Sequence, residues 1–171
     1  MPGQNPLAAV MAMKNSTWER HASPWSVWTR VPLLVLFAVA VFFRGPLGPW
    51  LWPALGMLAL WAIVNPRAFP PPASTDNWAS RGVLGERVWL NRGTVPIPRH
   101  HQRWALGLSL ASAACLVPLA WGLYVLDPWA TAFGALGASA LKLWFVDRMV
   151  WLYEDMKHAS PEYASWLKRR P

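Results

Sequence analysis

Four long stretches with few charged side chains constrain this sequence more than any other feature. The clearest runs from Trp104 to Leu126 without a charged residue. A helix of that length rises about 34 Å, which is enough to cross a hydrocarbon core of about 30 Å. A second stretch, between Asp127 and Asp147, is interrupted only by Lys142, which lies near one end and can extend its side chain to the headgroups. A third stretch lies between Arg44 and Asn65. Each of these stretches predicts a transmembrane helix.

The remaining apolar stretch, Val31 to Phe43, is too short to cross a membrane alone. A helix that starts at Pro24, with Ser23 as its N-cap, reaches the required length if Arg30 extends its side chain to the headgroups. The sequence therefore predicts an all-α, four-helix transmembrane bundle with spans at about 24–43, 46–64, 104–126 and 128–147. Together these spans form one membrane domain over residues 23–158.

Composition agrees with a membrane protein. Hydrophobic residues make up 54% of the chain and charged residues 14%, against about 25% charged residues in soluble domains. The 14 Trp residues suit a membrane–water interface, where this side chain is enriched. The net charge of +8 is explained by Lys and Arg residues on the cytoplasmic side, where they attract anionic lipid headgroups. Nucleic acid is therefore not expected as a partner.

The distribution of cations predicts the orientation. Two short turns join span one to span two and span three to span four. Of the 16 Lys and Arg residues, Arg44 alone lies in one of these turns. Because cytoplasmic loops are rich in Lys and Arg, we expect both termini and the loop 65–103 on the cytoplasmic side of the inner membrane. Residues 1–22 are then a mobile cytoplasmic tail. Residues 159–171 are expected to form a short basic helix or tail.

The loop 65–103 is longer than a plain connector needs to be and contains six Arg residues. Ser74 to Asn77 can cap a helix that runs to about Asn91. The apolar residues of this helix are spread over several faces, whereas a membrane-surface helix separates them more cleanly. We therefore expect the loop helix to be ordered and packed on the bundle.

Polar residues near the cytoplasmic ends of spans three and four form the candidate site. If the fourth span continues past the membrane, Asp147, Glu154 and His158 share one helix face. The start of span three lies at the same level, because consecutive antiparallel spans are neighbours. The candidate acid–base residues are Glu86, His100, His101, Asp147 and Glu154. The candidate metal ligands are His100, His101, Glu154 and His158, and the candidate binding residues are Arg67, Trp78, Arg81, Arg87, Arg99, Arg103, Arg148 and Asp155.

The acidic residues of this site also have a structural interpretation. Charges near a membrane usually find partners, so we expect Arg87, Arg99 or Arg103 to pair with Asp147, Glu154 or Asp155. The sequence contains no GxSxG, HExxH, P-loop or GxGxxG motif, and it identifies no cofactor. With Cys115 as the single cysteine, no intrachain disulfide is possible.

Four strings carry a family resemblance: RHASPWSVWTR at 20–30, NPRAFPPPASTDNWASRGVLGERVWLNR at 65–92, VPIPRHH at 95–101 and WFVDRMVWLYEDM at 144–156. They resemble a domain-of-unknown-function family of small multi-pass membrane proteins of bacteria and archaea. The resemblance covers roughly residues 18–158. It implies a multi-pass membrane protein, and it implies no reaction or cofactor because the family has no assigned activity.

These observations favour a lipid-binding protein or an accessory subunit of a membrane complex, with its functional surface at the cytoplasmic face. Its Arg and Trp residues would engage membrane lipids, a protein partner or a second copy of the chain. A membrane enzyme that acts on a lipid or isoprenoid through the carboxylates and histidines is the alternative. A small transporter is a further alternative, although the spans carry almost no central polar residue.

The predicted orientation can be tested with reporter fusions. Green fluorescent protein fused at the N-terminus, after Pro72 or at the C-terminus should fluoresce, because all three sites are expected in the cytoplasm. Alkaline phosphatase fused at the same sites should be inactive, and it should be active when fused after Gly48 in the predicted outer turn. An active phosphatase fusion at Pro72 would contradict the four-span topology.

Overall fold

A computed structural model describes residues 15–169 of the protein, and this part of the chain is helical without a β-strand. The all-α fold class is therefore confirmed for these residues. The helices are α1 (Asn15–His21), α2 (Pro24–Trp28), α3 (Leu33–Phe42), α4 (Arg44–Leu47), α5 (Leu51–Ala68), α6 (Trp78–Leu90), α7 (Arg99–Ala114), α8 (Leu116–Val125), α9 (Pro128–Met156) and α10 (Pro161–Ser165).

Four continuous or nearly continuous helical segments are long and apolar enough to cross a membrane. They are Pro24–Phe42, Arg44–Ala68, Arg99–Val125 and Pro128–Met156, so the expectation of four membrane-capable helices is confirmed. The third segment begins before the predicted residue 104, and the fourth continues beyond the predicted residue 147. Uncharged sequence marks only the apolar middle of each helix, and the polar residues at its ends continue the same backbone hydrogen bonding.

Three of the four segments are interrupted near proline, glycine or cysteine. In the first, a turn around Pro32 separates α2 from α3. Ser23 has the extended backbone of an N-cap, but its side chain makes no capping hydrogen bond. In the second, Gly48 has a positive φ of 50° after α4, and a 3₁₀ turn, Gly48–Trp50, leads into α5. In the third, α7 ends and α8 begins around Cys115, and Pro118 follows. Proline has no N–H to donate to the preceding turn, which explains why a helix is interrupted there.

The first two segments are joined by a buried polar network. Asn65 of α5 is fully buried. Its side-chain oxygen accepts a hydrogen bond from Ser26 Oγ at 2.8 Å, and its Nδ2 donates to Thr29 Oγ1 at 2.8 Å. Trp61 Nε1 donates to the Thr29 carbonyl at 3.3 Å. These bonds satisfy polar groups that would be costly to leave unpaired in an apolar interior.

The longest helix, α9, is the centre of the fold. It contacts α3, α6, α7 and α8. The largest buried cluster lies between α9 and the loop helix α6, and its fully buried members include Val88, Met149, Leu152 and Tyr153. A Cβ placed on Gly85 would overlap the backbone of Met149. Only glycine therefore allows α6 to approach α9 as closely as it does.

The segments outside the spans are packed against this core. Residues 15–21, expected to belong to a mobile tail, form α1 and bury Trp18 against α6, because the indole finds an apolar site there. Residues 1–14 of the expected tail lie outside the described residues. At the other end, Tyr163 of α10 is buried and its hydroxyl accepts a hydrogen bond from Asn91 Nδ2 at 2.7 Å. Residues 170 and 171 also lie outside the described range.

The close approach of α6 and α9 gives a stability prediction. Gly85→Ala should lower the thermal unfolding midpoint in detergent, because the added methyl group overlaps the backbone of Met149. Overpacking of this kind costs about 1–3 kcal/mol. The matched control is Gly107→Ala, since a Cβ on Gly107 meets nothing within 4 Å. An unchanged midpoint in Gly85→Ala would contradict the close helix contact.

Candidate functional site

The carboxylates predicted for the site meet partners from the loop and from α9 itself. Asp147 Oδ1 accepts a hydrogen bond from Trp78 Nε1 at 3.0 Å. Glu154 lies 3.1 Å from Arg81 Nη1 and accepts a hydrogen bond from Lys157 Nζ at 2.6 Å. The end of span four therefore contacts the loop helix. The cations beside Glu154 are Arg81 and Lys157, and they are not the cations that we expected.

Glu154 illustrates why the expected pairs are wrong. We expected it to pair with Arg87, Arg99 or Arg103, but the register of α6 on α9 places Arg81 beside it. Arg87 instead donates to Asn15 Oδ1 at 2.7 Å, lies 3.3 Å from Glu162 and stacks over the Trp166 ring. Burial lowers the pKa of Arg87, and Glu162 opposes that shift.

The other predicted binding residues are spread over the surface. Arg67, Arg99 and Arg103 are exposed, and none of the three lies within 4 Å of a carboxylate in the described part of the chain. The guanidinium of Arg148 lies 5.6 Å from the centre of the Trp104 ring and 5.8 Å from that of Trp151. These cations do not converge on one pocket.

The predicted metal ligands are only partly brought together. His100 and His101 lie beside Asp155, with one donor atom from each residue within 4.8 Å of the others. Glu154 is instead engaged by Arg81 and Lys157, and His158 is exposed. Asp155, predicted as a binding residue, takes the place of Glu154 because it lies one residue further around the helix and faces α7.

Glu86, the remaining predicted acid, lines a cavity that the sequence did not indicate. The cavity has a volume of about 640 Å³ and lies among α1, α2, α3, α6, α7, α8 and α9, with Pro66 of α5 at its edge. Its charged or titratable lining residues are His21, Arg30, Glu86 and Lys142. Most of the other lining residues are apolar: Trp18, Val27, Val31, Leu34, Pro66, Val83, Trp89, Leu90, Leu116, Ala138, Leu143, Phe145 and Val146.

The four charged or titratable residues contact one another in two pairs. Arg30 Nη1 donates to His21 Nε2 at 3.2 Å, and Arg30 Nε donates to the Ser26 carbonyl at 2.8 Å. Lys142 Nζ donates to Glu86 Oε1 at 3.0 Å. Among the described residues no carboxylate lies within 4 Å of Arg30. Glu86 nevertheless acts electrostatically on Arg30 as well as on Lys142, so two cations share one carboxylate.

His21 is neutral in this arrangement. Its Nε2 accepts a hydrogen bond from a guanidinium, which has no acceptor of its own, so the ring cannot carry a proton there. Burial and then the charge of Arg30 lower the pKa of His21 from its ordinary value of 6.5 to about 4, against the opposing effect of Glu86. With Lys142 and Glu86 opposite in sign, the group carries a net charge of +1.

Polarity changes along the cavity. Ala138 lies one helical turn further into its span than Lys142, a rise of about 6 Å, and Leu34 follows Arg30 after the turn at Pro32. The hydroxyls of Ser112 and Ser139 are bonded to helix carbonyls at 3.0 and 2.7 Å. Apolar residues therefore line the cavity on both sides of the charges, with Leu34 and Ala138 on the deeper side and Val27, Phe145 and Val146 on the other. We call the charged or titratable residues His21, Arg30, Glu86 and Lys142 the charged layer of the cavity.

Sequence reasoning missed three of these four residues. Arg30 and Lys142 were read as side chains that extend to the headgroups, and His21 was placed in the tail. Lys142 is 60% exposed, which agrees with that reading, but Arg30 turns inward to His21. An ionisable residue inside a span is itself a pointer to function, and that signal was available for Arg30 and Lys142.

The neutral state of His21 gives a pH prediction. The pKa of His21 is lower in the folded protein than in the unfolded chain, so the unfolded chain binds more protons between pH 6.5 and 4. Stability should fall as the pH drops through this range, by up to about 3 kcal/mol. Thermal midpoints measured in detergent should fall less steeply with acidification in His21→Gln than in the wild type. Identical pH profiles would contradict a buried neutral His21 beside Arg30, Glu86 and Lys142.

Comparison with known proteins identifies a family without an activity. The model of a family described as "Family of unknown function (DUF6653)" matches residues 4–169. Neither the curated proteins nor the solved structures contain a match to this chain. The expected resemblance to a domain-of-unknown-function family is confirmed by this match. The chain belongs to the DUF6653 family, a family of unknown function.

Proposed function

We propose that this protein binds an anionic amphiphile, a lipid with a carboxylate or phosphate headgroup, in the cavity between its spans and its loop helix. The proposal places the protein in the cytoplasmic membrane with both termini and the loop in the cytoplasm. One observation carries it: a group of side chains with a net positive charge lines a largely apolar cavity of ligand size. We also propose that the lipid-bound protein serves as an accessory subunit of a larger membrane complex.

The charge of the cavity supports an anionic ligand. Two cations, Arg30 and Lys142, face one carboxylate, Glu86, and neutral His21 adds no charge, so a net positive charge remains. A half-buried guanidinium without a carboxylate partner is costly, and a carboxylate or phosphate offers the paired oxygens that a guanidinium binds best. An anionic headgroup at Arg30 would therefore complete the site.

The size and depth of the cavity support an acyl chain. A volume of about 640 Å³ falls in the range of about 300–1,000 Å³ that is typical of ligand sites. A headgroup at the level of Arg30 would direct its chain along Leu34, Leu116 and Ala138, which line the cavity on the deeper side. This matches a molecule that is polar at one end only.

The surface of the helices supports the membrane location. Large exposed Trp side chains occur near both ends of the spans: Trp25, Trp28, Trp104, Trp144 and Trp151 at one end, and Trp50, Trp52, Trp121 and Trp129 at the other. Two belts of this kind are typical of the two membrane–water interfaces. The helix sides between them expose apolar residues such as Leu60, Ile63, Leu106 and Leu110. The charged layer then lies at the interface that we assign to the cytoplasm.

Lipid binding by cavity variants tests the proposal. In native mass spectrometry with titrated lipid, Arg30→Gln should weaken binding of an anionic lipid about 10- to 100-fold, because a hydrogen-bonded charge is worth about 1.5–3 kcal/mol. Glu86→Gln should strengthen it, since Lys142 then adds its charge to the headgroup. Arg20→Gln is the matched control, because Arg20 is exposed and outside the cavity lining.

Three lipids separate the possible headgroups. A fatty acid tests the carboxylate, an anionic phospholipid tests the phosphate, and phosphatidylcholine reports binding without a net negative charge. Opposite effects of Arg30→Gln and Glu86→Gln on one anionic lipid are expected. Equal effects of Arg30→Gln and Arg20→Gln on all three lipids would contradict the proposed site.

A further inference from the structure

A second cluster lies where α7 begins and α9 ends. His100, His101 and Asp155 each offer one donor atom, and the three atoms lie within 4.8 Å of one another. His101 Nε2 is 2.8 Å from Asp155 Oδ2. Two ligands bound about 2.1 Å from one metal ion at 90–110° lie about 3.0–3.4 Å apart. The observed separations need only small side-chain movements to reach that geometry.

The two histidines converge although helical geometry separates them. Successive residues on an α-helix point about 100° apart, but the ring centroids of His100 and His101 are 4.1 Å apart. Both rings reach toward the same carboxylate on α9. The helix register alone does not produce this arrangement, so the convergence is a specific feature of this corner of the fold.

His101 is held in place from inside the protein. It is 1% exposed, and its Nδ1 is buried without a hydrogen-bond partner in the described part of the chain. His100 and Asp155, by contrast, are exposed and can be reached from the solvent. One fixed ligand and two accessible ligands suit an ion that enters from the aqueous side.

We propose that His100, His101 and Asp155 bind a divalent transition-metal ion of the Zn²⁺ class. Two imidazoles and one carboxylate suit Zn²⁺, whereas Ca²⁺ and Mg²⁺ prefer oxygen ligands only. Three protein ligands leave a coordination position for water or another small ligand. The charge of the ion would also be partly balanced by Asp155.

This metal site is separate from the lipid cavity. Asp155 follows Lys142 by 13 residues on the same helix, a rise of about 20 Å. None of the three metal-site residues lines the cavity. The two proposals can therefore fail independently, because a lipid-binding measurement does not depend on the metal ligands.

Zinc titration of the full-length protein tests this site. The protein is purified through a tag without histidine, stripped with a chelator and titrated with Zn²⁺ against a fluorescent zinc indicator. The wild type should bind one equivalent, and His100→Ala and Asp155→Asn should each weaken binding at least 10-fold. His100 is exposed, and Asp155→Asn keeps a side-chain group that can hydrogen-bond to His101 Nε2, so thermal midpoints of the metal-free variants should remain near that of the wild type.

His158→Ala provides the matched control, since His158 is an exposed histidine outside the cluster near the end of the same helix. It should bind Zn²⁺ as the wild type does. Co²⁺ substitution adds a direct readout, because coordination by imidazole and carboxylate gives visible absorption bands that should weaken in His100→Ala. Equal zinc affinities in His100→Ala, His158→Ala and the wild type would overturn the proposal and indicate binding by scattered surface groups only.

Discussion

The packing of the loop helix α6 on α9 is the contact on which the rest of the structure depends. It is possible because Gly85 brings the helix against the backbone of Met149. This approach sets the register that places Glu86 beside Lys142 and Arg81 beside Glu154. It also closes one side of the cavity. A segment that hydropathy would treat as a cytoplasmic connector is therefore part of the core.

The charged layer of the cavity combines groups from four separate elements of the chain. His21 comes from α1, Arg30 from the turn between α2 and α3, and Glu86 and Lys142 from α6 and α9. Taken singly, each is an ordinary interfacial residue. Their combination leaves a net positive charge in a largely apolar cavity, which is the chemistry that the proposed anionic amphiphile requires.

Local signals predicted part of the fold. The spans follow from apolar length, and the caps at Asp127 and Ser160 accept hydrogen bonds from Ala130 and Tyr163 N–H groups as the Ser/Asp-Pro pattern suggests. Ser23 has the same pattern without that bond. The partners of the carboxylates could not be predicted, because they depend on the register of α6 on α9. Arg30 turns inward because it bonds to His21 of α1. This contact could not be predicted either, because the sequence of α1 lacks the pattern of a span and does not indicate that it packs here.

The most direct test of the central claim is to locate a bound lipid by photo-crosslinking. An anionic lipid with a diazirine in its acyl chain would be added at one equivalent to protein in detergent, irradiated and mapped by peptide mass spectrometry. We predict adducts at Leu34, Leu116 or Ala138, which line the cavity. Adducts confined to outward-facing residues such as Leu60 and Leu110 would show that the lipid lies on the helix surface and would contradict a cavity-bound ligand.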